Sequence, residues 1–514
     1  MTAAEIRVFE DWSQTLRVEG LHGSESLTFP ARHDLYKARR LIDWLNGLTT
    51  RSGVPIYNHW QYHGRCVYPF LLERLFWEVI VPWVLYREAF EAIEAAERPV
   101  VIRGGMGWFR KLWHIVHGEP QGAWHKRIAY SVGSRLARLN SRPERIIFYS
   151  ISPQDFRTEE IRGSLSRLGI TYSFARTFST KRDWRCAAGP HSNIFLSLPP
   201  RSLYSDSSAF AVPENPEFPS RIVRRILDHI DSCCRQSMEE ISAFDQMFRK
   251  HRPGVIYGID DVSIVNPLIA AASLHQIPTI GHQHSTYTKW HYGWMRHSLP
   301  TAANSLHWSR LMVWGTHWKR KLLQHSRVFG EHEIEIACPM RAPPKFKSKR
   351  NAPATHLAQR TILIPYEFLA DVVAIGKYID VMLDKGWRVV LKVRPDEVPL
   401  DQLGAYCLQH STGVELTTSL SDALLSGVDA IAGTSSSLLY ELLVTGIPVW
   451  YLETRHCVME ELVADGFAHS VTHDVLDDAP AFLFEPLYAG NGEEFFSTAR
   501  SMDEVVAGVA RLRN

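Results

Sequence analysis

The chain has 514 residues, 45% hydrophobic and 22% charged, and its 57 basic and 55 acidic side chains leave a formal net charge of +2. This is a globular composition with material for at least two cores, and it excludes a nucleic-acid binder that works through a concentrated basic face. Seven cysteines, an odd number with Cys233 and Cys234 adjacent and no CxxC, make neither a disulfide framework nor a zinc site and suit a reducing cytoplasm.

The first residues, MTAAEIRVFEDW, carry acids and no apolar run, so no signal peptide is expected. Residues 1–98 read as a mostly helical region, clearest over 35–48 and 70–95. The apolar stretch 70–90 contains Glu73, Arg74, Glu78, Arg87 and Glu88, too many charges to span a bilayer. A strand over 99–103 ends in the turn Gly104-Gly105-Met106-Gly107. Then Trp108, Arg110, Lys111, Trp113, His114, Trp124, His125, Lys126 and Arg127 mix aromatic and basic groups, as a partly buried helix does, or a surface resting on lipid headgroups. Strands over 145–150 and 170–174 flank a helix over 158–168. A Ser- and Pro-rich loop covers 199–219, and a helix over 221–248 follows.

The stretch 255–293 concentrates the chemistry. An apolar strand ends at Gly258, the two acids Asp260 and Asp261 follow it, a helix begins near Asn266, and a second strand over 277–281 runs into His282 and His284. Ligands of open α/β sheets bind beyond the carboxyl ends of the strands, so these groups are expected at one crevice. One acid can cap the helix, and only one of the two histidines is expected to point at the crevice. Strands over 311–315 and 333–337 complete this half, and the polar, basic segment 342–359 reads as a linker.

After it the α/β rhythm restarts: a strand over 361–364, a helix over 368–383, a strand over 388–393 ending in Lys392-Val393-Arg394-Pro395, and a strand over 428–432. The last runs into Gly433-Thr434-Ser435-Ser436-Ser437 at the start of a helix carrying Glu441, and a strand over 447–451 follows. A glycine and four hydroxyls at a helix N-terminus read as an anion site, Lys392 and Arg394 as cations for phosphate, and Glu441 as a partner for ribose hydroxyls. A final helix lies over 493–512.

In their order, IPTIGHQHSTYTKWHY (277–292), Val313-Trp314-Gly315, Lys392 to Pro395 and GTSSSLLYELLVTGIPV (433–449) resemble the GT-B glycosyltransferases of bacterial capsule and O-antigen synthesis, including Kdo- and sialyl-transferases, and the CDP-glycerol glycerophosphotransferases. The resemblance covers about half the chain, 255–451. It implies an α/β fold with two Rossmann-like domains facing across a cleft, plus the helical N-terminal region. The expected boundaries are 1–98 and 99–341 for the first domain, 342–359 for the linker, 360–490 for the nucleotide-sugar domain, and 491–514 crossing back. It further implies inverting, metal-independent sugar transfer from a nucleotide sugar, with CMP-Kdo or CMP-sialic-type donors favoured, to a glycan or lipid-linked glycan. No cofactor, metal or nucleic acid is expected, and the enzyme is placed in the cytoplasm or at the inner membrane face.

By the same resemblance the base is expected to be Asp261 or Asp260, with His284 stabilising the donor phosphate or serving as base itself. Ser285 stands where the family has Gly, Arg394-Pro395 where it often has His-Pro, and Cys338-Pro339 where it has Gly-x-Pro. His282, Lys392, Arg394, Gly433, Thr434, Ser435, Ser436, Ser437 and Glu441 are the expected donor contacts, and Trp290, Tyr292 and Trp294 the expected acceptor platform. The alternatives are a CDP-alditol phosphotransferase, a sugar-nucleotide 2-epimerase on the same scaffold, and a carbohydrate-binding protein without chemistry.

Overall fold

The computed structural model describes residues 5–512 except 11–13, 23–24, 105–107, 118–123, 151–154, 178–192, 197–206, 261, 296–306, 327, 342–345, 347–359, 366, 368–369, 394–402, 405–406 and 409–412. Asp261, Arg394, most of the Gly104–Gly107 turn and nearly all of the linker therefore lie outside the described residues.

The chain opens in strands, not helix. β1 (Ile6–Glu10), β2 (Thr15–His22) and β3 (Glu25–Pro30) form an antiparallel meander, and β4 (Val100–Gly104) adds in parallel to β1. Ile6 and Val8 of β1, and Leu16 and Val18 of β2, are fully buried, while Arg7 and Arg17 point to solvent. This period-two pattern is that of a sheet with one wet face. The expected helices do follow, as Leu35–Asn46 and as a broken run through Leu72–Leu75, a π-helical turn Phe76–Ile80 and Val81–Ala95.

The first Rossmann-like sheet has seven parallel strands: β5 (Ile146–Tyr149), β6 (Ser173–Thr177), β7 (Ile194–Leu196), β8 (Val255–Ile259), β9 (Thr279–His282), β10 (Arg310–Val313) and β11 (Ile334–Ile336). Their spatial order is β7-β6-β5-β8-β9-β10-β11. The second has six: β12 (Thr361–Ile364), β13 (Arg388–Lys392), β14 (Val414–Thr417), β15 (Ala430–Gly433), β16 (Val449–Leu452) and β17 (His469–Val471), in the order β14-β13-β12-β15-β16-β17. Every neighbouring pair in both sheets is parallel. The central strands IIFY, VIYGI, TILI, AIAG and VWYL are buried at every position, which is why they are continuous apolar runs without alternation.

Numbered within each domain, the sheets follow 3-2-1-4-5-6-7 and 3-2-1-4-5-6, so the order reverses between β5 and β8 in one and between β12 and β15 in the other. The fold class is α/β with two Rossmann-like domains. At the first reversal Gly258 is required, because a side chain there would collide with the Tyr149 backbone carbonyl.

Two compact units divide the chain: residues 1–38, 81–110 and 343–492 form one, and 39–80, 111–342 and 493–514 the other. The sequence reading assigned 1–98 to the first domain as a block. In the structure residues 1–38 group with the second sheet, where the Gln14 side-chain amide donates to the Ala370 carbonyl at 3.1 Å and the Tyr36 hydroxyl donates to both Glu460 oxygens at 3.0 and 2.9 Å. The closing segment 493–512 groups with the first sheet: Trp318 Nε1 donates to Phe495 O at 2.9 Å, and Arg167 pairs with Asp503 at 2.8 Å.

Candidate active site

Asp260 follows β8 directly, at the carboxyl end of the sheet and at its reversal point. Its side chain has no solvent contact. A carboxylate there is tolerated only if its oxygens are hydrogen-bonded, and both are. Oδ1 accepts from the His284 backbone N–H at 3.1 Å and from Nδ1 of the same residue in a short bond, and Oδ2 accepts from the Tyr287 hydroxyl at 2.5 Å. Burial, and then the Asp260 charge, hold the Tyr287 hydroxyl well above its ordinary pKa, so it remains a donor.

An acceptor-only carboxylate against Nδ1 requires the proton on that nitrogen. The neutral ring then carries its lone pair on Nε2. The His284 side chain is 15% exposed, and among the described residues no hydrogen-bond partner occupies Nε2. The result is a buried acid orienting an imidazole whose free nitrogen reaches the surface, the arrangement a general base requires. Asp260, one of the two expected bases, is too enclosed to meet an acceptor hydroxyl itself.

Trp294 forms the wall of this corner, its ring 6.3 Å from that of His284, 5.6 Å from Tyr287 and 5.5 Å from His291. The His291 pKa falls to about 4, first through burial and then through His284 when that ring is protonated, so a neutral ring stands beside the candidate base. Trp290, Tyr292 and Trp294 were expected to receive the acceptor. All three are core residues at 0%, 0% and 4% exposure, and Trp290 and Tyr292 pack on Phe76.

Residues two apart on a strand share a face, yet His282 and His284 separate because β9 ends at His282 and the chain turns. His282 is fully buried, and its Nε2 faces the Cys338 carbonyl at 2.8 Å, which fixes the proton there. Nδ1 then accepts from the Tyr257 hydroxyl at 2.9 Å. Burial lowers this pKa to about 4. With both nitrogens engaged inside the domain, His282 pins the β8–β9 pair and offers no surface to a donor.

Between the histidines, Gln283 accepts from Trp314 N at 2.8 Å and donates to the Ser285 carbonyl at 2.9 Å, while Trp314 Nε1 donates to the Gln283 carbonyl at 2.6 Å. These bonds fix the turn that delivers His284 to Asp260.

At the reversal of the second sheet, β15 ends at Gly433 and Thr434 to Ser437 lead into the helix Leu438–Leu443. The Thr434 and Ser435 donors of the expected anion cradle are taken by a carboxylate of the protein's own. Glu367, after β12, accepts from the Thr434 N–H at 2.9 Å, and from the Thr434 hydroxyl, the Ser435 N–H and the Ser435 hydroxyl at 2.7 Å each. Gly433 admits it, since a side chain there would collide with the carboxylate. Burial raises the Glu367 pKa, and the Ser435 and Thr434 donors offset part of that.

Of the other expected donor contacts, buried Ser436 accepts from Leu438 N at 3.4 Å, Ser437 and Glu441 are half-buried, and Lys392 donates to the Val393 carbonyl at 2.9 Å. Tyr287 and Glu367 were not singled out from sequence. Glu367 follows the first strand of a Rossmann-like unit, a placement that could have marked it. Among the described residues, no three His, Cys, Asp or Glu side chains are grouped to hold a metal ion.

No protein-family model matches the chain, and no curated protein matches it in sequence. Among solved structures it is similar to the glycotransferase of kitacinnamycin, at 15% identity over 72% of this chain and 95% of that one with a TM-score of 0.39. Acinetobacter baumannii MurG is similar at 11% identity over 71% and 99%, with a TM-score of 0.39. A Methanocaldococcus jannaschii UDP-GlcNAc 2-epimerase, in complex with UDP-GlcNAc and UDP, gives 11%, 71%, 99% and 0.40. Likeness at this level leaves the reading of function to the residues of this chain.

Proposed function

We propose that this protein transfers a sugar from a nucleotide-sugar donor to a hydroxyl acceptor, with His284 as general base. The observation that carries the reading is the Asp260–His284 pair at the reversal point of the first sheet. As the acceptor oxygen attacks the anomeric carbon, its proton passes to Nε2 of His284. The bond from that carbon to the nucleotide phosphate breaks with inversion, and Asp260 stabilises the imidazolium formed. Tyr287 holds the second oxygen of Asp260, so the carboxylate cannot rotate away from the ring.

The nucleotide is assigned to the carboxyl end of β12 and β15, the reversal point of the second sheet. Lys392, Arg394, Ser436, Ser437 and Glu441 remain its proposed contacts, and Thr434 and Ser435 act through Glu367. The motif order of the sequence favours a CMP-activated acidic sugar as donor, a glycan or lipid-linked glycan of a surface polysaccharide as acceptor, and no divalent ion.

A thermal-shift screen of CMP, CDP, UDP and GDP, followed by a transfer assay with the matching donor, tests the proposal; no nucleotide binding and no turnover would reject it. The same histidine geometry suits a second reading, transfer of an alditol phosphate, in which the activated hydroxyl attacks phosphorus. Turnover of CDP-glycerol in preference to any nucleotide sugar would select it, and turnover with no acceptor would select epimerisation.

A further inference from the structure

The segment 290–295 carries the Trp294 wall of the Asp260–His284 corner, and His291 is the one residue in it that is not fully buried. Trp290, Tyr292, Trp294 and Met295 are core. The His291 ring lies 5.5 Å from that of Trp294, which lies 6.3 Å from that of His284, so two imidazoles flank one tryptophan. A protonated His284 and the Asp260 carboxylate are both near enough to act on His291. The reaction proposed above uses His284 and leaves His291 without a role.

The proton of His291 is placed by its own turn. The Thr288 backbone N–H donates to Nδ1 at 3.1 Å, and the Thr288 hydroxyl lies 3.1 Å from the same nitrogen. A backbone N–H can only donate, so Nδ1 holds a lone pair, the ring is neutral and its single proton sits on Nε2. The turn is closed by the His291 N–H on the Thr288 carbonyl at 3.0 Å, which holds the ring in place. Among the described residues no hydrogen-bond partner occupies Nε2 of His291.

His284 is set the other way, with its proton on Nδ1 toward Asp260 and its lone pair on Nε2. Neighbouring rings thus offer one acceptor and one donor. A single hydroxyl has the groups to use both, but a hydrogen bond donated to the attacking oxygen would draw on the electrons that must reach the anomeric carbon. An oxygen on the adjacent carbon of the acceptor, as in a sugar ring or a polyol, takes the donor without that penalty.

We infer that His291 binds the acceptor, its Nε2–H donating to an oxygen next to the reacting hydroxyl, so that the acceptor is a vicinal diol of a sugar or polyol and not an isolated alcohol. The inference rests on the transfer reaction proposed above. It also moves acceptor recognition from the enclosed aromatic residues 290, 292 and 294 to the histidine among them.

Wild type, His291→Phe and His291→Gln are compared in steady-state transfer from the best-binding nucleotide sugar to the methyl glycoside that wild type uses best, and to its analogues deoxygenated beside the reacting hydroxyl. Both substitutions remove the bond from Thr288, and the Gln amide restores an N–H near the place of Nε2, so the difference between them reads that donor. His291→Phe should lower kcat/KM for the glycoside by about tenfold, the worth of one hydrogen bond, with donor affinity by calorimetry unchanged, and His291→Gln should recover most of the loss. One deoxy analogue should cost wild type a similar factor and cost His291→Phe nothing further, because its partner is already gone. A His291→Phe enzyme that transfers like wild type, Phe and Gln variants that fall equally, or a deoxy penalty undiminished in His291→Phe would each overturn the inference while leaving His284 as base. Wild type without transfer, or His284→Ala with normal transfer, would reject the reaction on which it rests and the inference with it.

Discussion

Two buried carboxylates do opposite work in this molecule. Asp260 hands its hydrogen-bonding capacity to an imidazole that reaches solvent, whereas Glu367 uses its own to stitch β12 to the turn after β15. Replacing His284 with Ala should therefore lower kcat by about 10²–10⁴-fold while nucleotide affinity stays near wild type. Tyr287→Phe should cost less, because it frees one oxygen of Asp260 without removing the base. A Tyr287→Phe variant with kcat unchanged in a steady-state assay would remove the hydroxyl from the relay. Ser435→Ala takes two roles from the cradle, a donor to Glu367 and part of the turn's rigidity. It should cost stability of roughly 1.5–3 kcal/mol, the worth of a hydrogen bond to a charged group, read as a lowered urea midpoint. An unchanged midpoint with weakened nucleotide binding would instead place the hydroxyl on the ligand.

Elements were legible where burial makes composition uniform. The central strands are runs such as TILI and VIYGI that suit little else, and the helix ending at Lys250 carries its apolar stripe through 31 residues. β1 to β3 were missed because charged residues interrupt β1 and β2 and no position of β3 is buried, although the alternation of Ile6, Val8 and Leu16, Val18 was there to be read. β14 and β17 lie at sheet edges, and β14 is half-exposed, so no apolar run marks it. His284 and Asp260 were both singled out, but the hydrogen bond between them was not, because sequence does not tell which group is enclosed. The acceptor tryptophans failed for the same reason. At this scale Gly315 offers a test: a side chain there would collide with the backbone of Glu494. Gly315→Ala should loosen the closing segment, and limited proteolysis should then cut within 493–512 faster than in wild type.

Across the whole molecule, buried neutral histidines tie stability to pH. His282 and His291 hold pKa values of about 4 in the fold, against about 6.5 when unfolded. Protons then favour the unfolded chain, so their contribution is fully present above about pH 6.5 and is lost as pH falls towards 4. Each ring is worth roughly 3 kcal/mol at most. Glu367 acts with the other sign, since its raised pKa makes the folded state the better proton binder, and its contribution declines as pH rises through the folded value. The histidines outnumber it, so the urea midpoint should drop between pH 7 and pH 4.5; a midpoint that is flat or rises over that interval would contradict the assignment of buried neutral rings.

The proposed reaction needs His284 as base and Asp260 to orient it. The most direct measurement is single-turnover transfer from the best-binding nucleotide sugar by wild type, His284→Ala and Asp260→Asn, with donor affinity measured by calorimetry in parallel. Both variants should lose at least about 100-fold in the chemical step and keep near-normal donor affinity. Near-normal transfer by His284→Ala would contradict the account and return the role of base to a carboxylate.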